Sequence, residues 1–184
     1  SFGSFNEAVE YAVDLIKKSG GIIKIRSGRY RVHSPIQLYS NICIEGDGKT
    51  TSLQVANDFN GGEAVFIADS VNDVHIKQLS IIQNHDVRKV SGIVYNHCGT
   101  SQISDVFMLG LSHHGAWVRN NCFLTKVANC TFGDIENNAV YLQTLDQGRA
   151  GDWLPNHVSG CTVYSSGTGI KAERAVSLYI TDSQ

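Results

Sequence analysis

Proline is nearly absent: the chain of 184 residues holds 2 Pro against 18 Gly. Charge is also scarce. Charged residues make up 17% of the chain, below the roughly 25% of an average soluble protein. Neither sign dominates, with 15 Lys and Arg facing 17 Asp and Glu for a formal net charge of −2. Without a basic field, nucleic acid is not an expected partner. Low charge with 42% hydrophobic residues is the reverse of a disordered composition. No apolar run approaches the roughly 18 residues of a membrane span, so no membrane partner is expected. No basic-then-apolar signal segment opens the chain. The single Met is not at position 1, as expected of a processed chain or a piece of a longer one. No C-x-x-C pair occurs among the five cysteines at 43, 98, 122, 130 and 161, which argues against a zinc cage. Neither metal nor cofactor is expected. The cysteines sit in apolar strand patterns and read as buried free thiols.

What is present begins with one helix. Ser4-Phe-Asn-Glu7 forms a capping box, with Ser4 over an orphan N–H and Glu7 reaching back. Phe5, Ala8, Val9, Ala12, Val13 and Ile16 fall on one face at helical spacing. Gly20-Gly21 ends the helix. Residues 1–21 are therefore assigned to an N-terminal capping helix, and residues 22–184 to something else. Short alternating runs such as Ile22-Ile-Lys-Ile25 and Tyr30-Arg-Val32 follow, punctuated by Gly, Ser, Asn and Asp.

These runs repeat. Gly92-Ile-Val-Tyr95, Gly115-Ala-Trp-Val118, Ala139-Val-Tyr-Leu142 and Gly169-Ile-Lys-Ala172 align, the first two steps being 23 and 24 residues. A second phase links Ile76, Ile103, Val127, Val158 and Ile180. One step in each phase is longer, which maps an outward loop to residues 143–156. The period is too long for one hairpin and too short for a propeller blade. Rungs stacked at about 4.8 Å would pair every backbone group above and below. Ile93, Ala116, Val140 and Ile170 then form one interior column; Val106, Cys130 and Cys161 form another. Gln78, Asp105, Asn129, Gly160 and Asp182 share one turn position, where small polar residues tolerate a left-handed bend. The fold class is all-β: a right-handed single-stranded parallel β-helix with an N-terminal capping α-helix.

The opening also carries a family resemblance. The helix, Gly20-Gly21-Ile-Ile-Lys-Ile, Ser27-Gly-Arg-Tyr-Arg-Val32, Ile36-Gln-Leu38, Ser40-Asn-Ile-Cys-Ile-Glu-Gly-Asp-Gly48 and Leu53-Gln-Val55 follow in order. This resembles the N-terminal part of the pectate-lyase-like β-helix superfamily, over residues 4–56 by motif and beyond by rung pattern. It departs at Ser27, where that pattern often has Pro, and lacks the Asp-rich segment that often precedes the helix. The superfamily includes polysaccharide lyases, glycoside hydrolases and phage tailspikes. The resemblance implies a polysaccharide partner, an extracellular or virion-surface location and a possible homotrimer, but fixes no reaction.

Several candidate motifs dissolve on inspection. Gly46-Asp-Gly-Lys-Thr50 lacks the first glycine of a phosphate loop, with Cys43 in its place, and reads as a turn. The sequon at Asn129 reads as a turn-column residue. His113-His114 is the only histidine pair and reads as solvated turn residues. The hydrolase motifs Asn-Thr-Asp, Asp-Asp and Gly-His-Gly of polygalacturonases do not occur, nor does the clustered Asp of calcium-dependent pectate lyases.

One flank carries chemistry. Val94, Trp117, Tyr141 and Lys171 point outward between inward neighbours; two residues along come Asn96, Arg119, Gln143 and Glu173. Sugar rings stack on aromatic faces, and Arg bonds hydroxyls or a uronate. The expected substrate groove is therefore Trp117, Arg119, Tyr141 and Lys171, with Arg149 and Trp153 of the loop. A hydrolase needs two carboxylates astride the glycosidic bond. Asp146, Asp152 and Glu173 are the candidates for catalysis. Asp134 and Glu136 lie on the opposite turn. The expected function is binding and cleavage of a polysaccharide by lyase or hydrolase chemistry. The alternative is a non-catalytic tailspike or adhesin segment.

Overall fold

A computed structural model describes residues 2–84, 89–143, 155–173 and 178–184. Candidates Asp146, Arg149, Asp152 and Trp153 lie outside these residues.

The chain forms one helix and a coil of parallel strands. Helix α1 spans Phe5–Ile16, and Ser4 Oγ accepts from Glu7 N. The reach-back differs from the expected box, since Glu7 Oε2 accepts from Gly3 N instead of Ser4 N. Val9 and Val13 are buried as the spacing predicts, and so is Asn6. Asn6 Nδ2 donates to Ser34 O at 2.8 Å, and its Oδ1 accepts from His33 N at 2.9 Å. This polar side chain thus fastens the cap to the turn after the second strand. Gly20, at φ 72°, ends the helix by donating to Ile16 O at 2.7 Å.

Each rung has three strand positions. The first rung is β1 (Gly21–Ile25), β2 (Gly28–Val32) and β3 (Ile36–Leu38); the second is β4 (Ile42–Gly46), β5 (Thr51–Val55) and β6 (Ala64–Asp69). In the next two rungs the first two positions fuse: β7 (His75–Ile82) precedes β8 (Ser91–Asn96), and β9 (Gln102–Leu109) precedes β10 (His114–Arg119). Then come β11 (Lys126–Ala128), β12 (Thr131–Gly133) and β13 (Asn138–Gln143), followed by β14 (Asn156–Ser159), β15 (Thr162–Tyr164), β16 (Thr168–Glu173) and β17 (Leu178–Thr181). Every paired strand runs parallel to the equivalent strand of the next rung, as in β1 with β4 and β10 with β13.

Gln78 and Asp105 turn the chain through a single left-handed residue each, at φ 55°. The same corner recurs at Asn129 (54°), Gly160 (62°) and Asp182 (50°), the column foreseen from the repeat. The corner is so tight that Gly46, one rung earlier, has no room for a side chain: a Cβ there would lie 2.3 Å from Gln78 O.

The interior follows the predicted columns. Ile44, Ile76, Ile103, Val127 and Val158 stack in register and are all buried. Phe66, Ile93, Ala116, Val140 and Ile170 form the column behind the third face. Each fully buried aliphatic contributes about 1.5–3 kcal/mol. All five cysteines are free thiols, four of them buried. The candidate phosphate loop is a short 3₁₀ turn at Gly48–Thr50, followed directly by β5.

Candidate functional site

The third face, built from β3, β6, β8, β10, β13 and β16, is a six-stranded parallel sheet. Its pleat sets every second side chain outward. Val94, Trp117, Tyr141 and Lys171 stand in one outward row, and Asn96, Arg119, Gln143 and Glu173 in the next. The structure therefore brings together five of the predicted residues: Trp117, Arg119, Tyr141, Lys171 and Glu173.

The rows are tightly packed. The rings of Trp117 and Tyr141 stack at 5.9 Å between centroids and 13° between planes. Arg119 lies over Trp117 with Cζ 4.3 Å from its centroid, and Lys171 Nζ is 4.8 Å over Tyr141. The expectation of exposed aromatics is corrected here, because Tyr141 is only 7% exposed. Ring faces are spent on neighbours of the same stack, as rung spacing dictates.

The charges are paired as well. Arg119 grips Glu63 with both terminal nitrogens, at 2.5 and 3.3 Å. Lys171 Nζ is 3.6 Å from Glu173 Oε2, and the Tyr141 hydroxyl donates to the same oxygen. Burial first, and then the Glu173 hydrogen bond and charge, push the Tyr141 phenol up to about 12. Glu63 was not foreseen; it reaches Arg119 across 56 residues of sequence and had no motif to mark it. Two donors here, Trp117 Nε1 and Arg119 Nε, are buried without an acceptor among the described residues.

The histidine pair overturns a second expectation. His114 is 5% exposed, not solvated. It opens β10, so its ring lies against Trp117 and Tyr141, at 5.0 Å from each. His113 lies against it at 3.9 Å between centroids, tilted by 40°. Asn138 Nδ2 lies 3.0 Å from His114 Nδ1 and donates to that nitrogen in the tautomer protonated at Nε2. Burial, then the neighbouring His113 and Lys171, bring the His114 imidazole down to about 4. His113 is lowered too, first by burial and then by Lys89.

Beside this stack lies a cleft of about 490 Å³, lined among others by His114, Glu136, Asn138, Tyr141, Thr168 and Lys171. Its size falls in the range of small-molecule sites. His114, Asn138 and Thr168 enter it in register at the start of successive strands. The cleft offers hydroxyl, amide, imidazole and carboxylate groups, which suits a hydroxyl-rich ligand. Among the described residues no cluster of His, Cys, Asp and Glu could hold a metal ion.

No protein-family model and no curated protein matches the sequence. Solved structures do resemble the chain. A Parabacteroides merdae protein, an inferred glycosyl hydrolase, superposes with a TM-score of 0.72 at 16% identity, over 97% of this chain and 89% of its own. The shared fold is the parallel β-helix. The catalytic unit of a GH87 α-1,3-glucanase from Streptomyces thermodiastaticus gives 0.74 at 17% identity, over 100% of this chain. The tailspike of Escherichia coli bacteriophage HK620, solved with a pentasaccharide, gives 0.64 at 15% identity, over 97% of this chain. This chain spans 33% of the glucanase unit and 41% of the tailspike.

Proposed function

We propose that this β-helix binds a polysaccharide across the outer side of its third face and cleaves it there. The observation that carries the reading is the polar cleft of about 490 Å³ on the third face, lined by His114, Glu136, Asn138, Tyr141, Thr168 and Lys171. Its hydroxyl, amide, imidazole, ammonium and carboxylate groups present donors and acceptors to a hydroxyl-rich ligand. The glycosidase and tailspike likenesses support a glycan as the ligand.

The chemistry would centre on carboxylates. Glu173 has its charge met by Lys171 and the Tyr141 hydroxyl, which suits a base or nucleophile. Of the two glutamates, Glu136 is the one that lines the cleft, and it is exposed. Asp146 and Asp152 remain candidates for the partner acid, with Arg149 and Trp153 as further substrate contacts. A lyase would instead draw on Lys171 and Arg119 to neutralise a uronate. An extracellular or virion-surface site of action fits either route.

Incubation with a panel of neutral and acidic polysaccharides tests the proposal. New reducing ends identify a hydrolase, and new unsaturated ends a lyase. Trp117→Ala is expected to weaken glycan binding at least tenfold while the circular dichroism of the β-helix is retained. Unchanged binding across the panel would remove the third face as the site. A second reading has its own support: Trp117 and Tyr141 use their faces on each other, as in a structural ladder. On that reading the domain is a non-catalytic segment of a tailspike or adhesin, and could trimerise. It predicts no products from any polysaccharide and a threefold mass in solution.

A further inference from the structure

The second face, formed by β2, β5, the later half of β7 and their successors, carries a different surface. Two clefts lie on it, of about 410 and 490 Å³. Both are lined by Gln54 and Ile82, so they adjoin as one groove that follows the strand direction. Arg31 lines the first, and Arg29 and Lys49 the second. Arg29 and Arg31 are two residues apart on β2, hence on the same side and roughly 6.6 Å apart along the strand. Lys49 arrives from the 3₁₀ turn of the next rung and sits 4.6 Å over the Phe107 ring.

Charge sets this groove apart from the third face. There, Arg119 and Lys171 are neutralised by Glu63 and Glu173. Here, none of Arg29, Arg31 and Lys49 has an ion-pair partner among the described residues, and all three are exposed. The one acid among the lining residues, Asp58, has its Oδ1 2.6 Å from His33 Nδ1, so three cations face one carboxylate. Three free cations on a chain of net charge −2 are local, not a general basicity.

We propose that this groove is a second binding site, separate from the third face, for a carboxylate-bearing polysaccharide. Arg29 and Arg31 present planar forks that match carboxylates, and Lys49 adds a point charge. Thr50, Ser52, Gln54 and Asn57 line the same groove and supply partners for hydroxyls. The aromatic ring nearby, Phe107, is covered by Lys49 and offers no platform for a base, which favours a uronate chain over a nucleic acid.

Calorimetric titration with a galacturonate octamer tests this. The same octamer with its carboxyls reduced to alcohols, and a single-stranded DNA octamer, serve as comparisons. The galacturonate octamer is expected to bind at least tenfold more tightly than either. The double variant Arg29→Gln/Arg31→Gln should lose that binding at least tenfold with an unchanged melting curve. Restoring the charges as Arg29→Lys/Arg31→Lys should recover part of it. Lys126→Gln, an exposed cation on β11 of the first face, should leave it unchanged. The proposal is overturned if the native protein does not bind the octamer, or if DNA or the reduced octamer binds as well. It is equally overturned if the arginine variant binds the octamer as tightly as the native protein does. The arginine variant thus separates this groove from the third face, whose own test is the formation of products.

Discussion

His114 stays neutral because its surroundings repel a proton. Its ring is shut between Trp117, Tyr141 and His113, with the Lys171 ammonium close by. In the unfolded chain a histidine takes a proton near pH 6.5; in the fold this one refuses it until about pH 4. The unfolded state therefore binds the extra proton first. The stability that neutral His114 contributes is present above pH 6.5 and is lost as pH falls through about 4. The loss amounts to a few kcal/mol at most. The melting temperature is expected to fall between pH 6.5 and 4.5, and His114→Gln should flatten that decline. An identical slope in the variant would show that other groups set the acid limit. This residue also marks where the sequence misleads. Two adjacent histidines after a Leu-Ser turn look solvated, since nothing local shows that rungs on either side close over the second one. Trp117 and Tyr141 were legible because the 24-residue step aligned them, yet their mutual stacking depends on a rung spacing that only the coil supplies.

At the scale of the element, the left-handed corners decide how strands bend. Gln78 holds φ 55° in the middle of β7 while the ladder to β9 continues on both sides of it. A side chain branched at Cβ is strained there, and glycine is not. Gln78→Val is expected to destabilise the protein by about 1–3 kcal/mol. Gln78→Gly should be neutral or slightly stabilising. Urea unfolding midpoints of the two variants measure this; equal midpoints would mean that the corner carries no strain. The corner column was visible in the sequence as recurring Gln, Asp, Asn, Gly and Asp. The fusion of two strands through it was not, because residues at positive φ normally signal a break. The groove of Arg29, Arg31 and Lys49 was invisible for a related reason. Arg-Tyr-Arg reads as one more alternating strand, and Lys49 joins it only after a full rung has brought the chain back.

The whole molecule is a one-dimensional stack, in which each rung touches only its neighbours. Phe132 is fully buried and pairs in register with Met108 below and Val163 above. Phe132→Ala should cost about 3–5 kcal/mol, from lost burial and the cavity left behind. The damage should remain local. Amide hydrogen exchange is expected to quicken in β9, β12 and β15, while β1 and β4 keep their protection. Uniform loss of protection along the coil would show a globally cooperative core instead. The stack also explains the composition. Pairing on both sides of most strands excludes proline, and inward columns displace charge. Fold and period were therefore readable from one chain, whereas the site depends on which residues the coil returns to one face.

The matched register of the rungs has a genetic consequence. A duplication that copies one whole rung, about 24 codons long, hands each copied side chain the same neighbours as its parent. It adds another outward Trp or Tyr, another corner and another inward column member without repacking the old ones. A copy one residue too long would turn the following strands inside out. Selection acting on such a gene would thus lengthen or shorten the third face in quanta of one rung. An insertion between two strands is the other permitted change, because it leaves the phase of each strand intact; the lengthened steps from Ile44 to Ile76 and from Val127 to Val158 both keep their register.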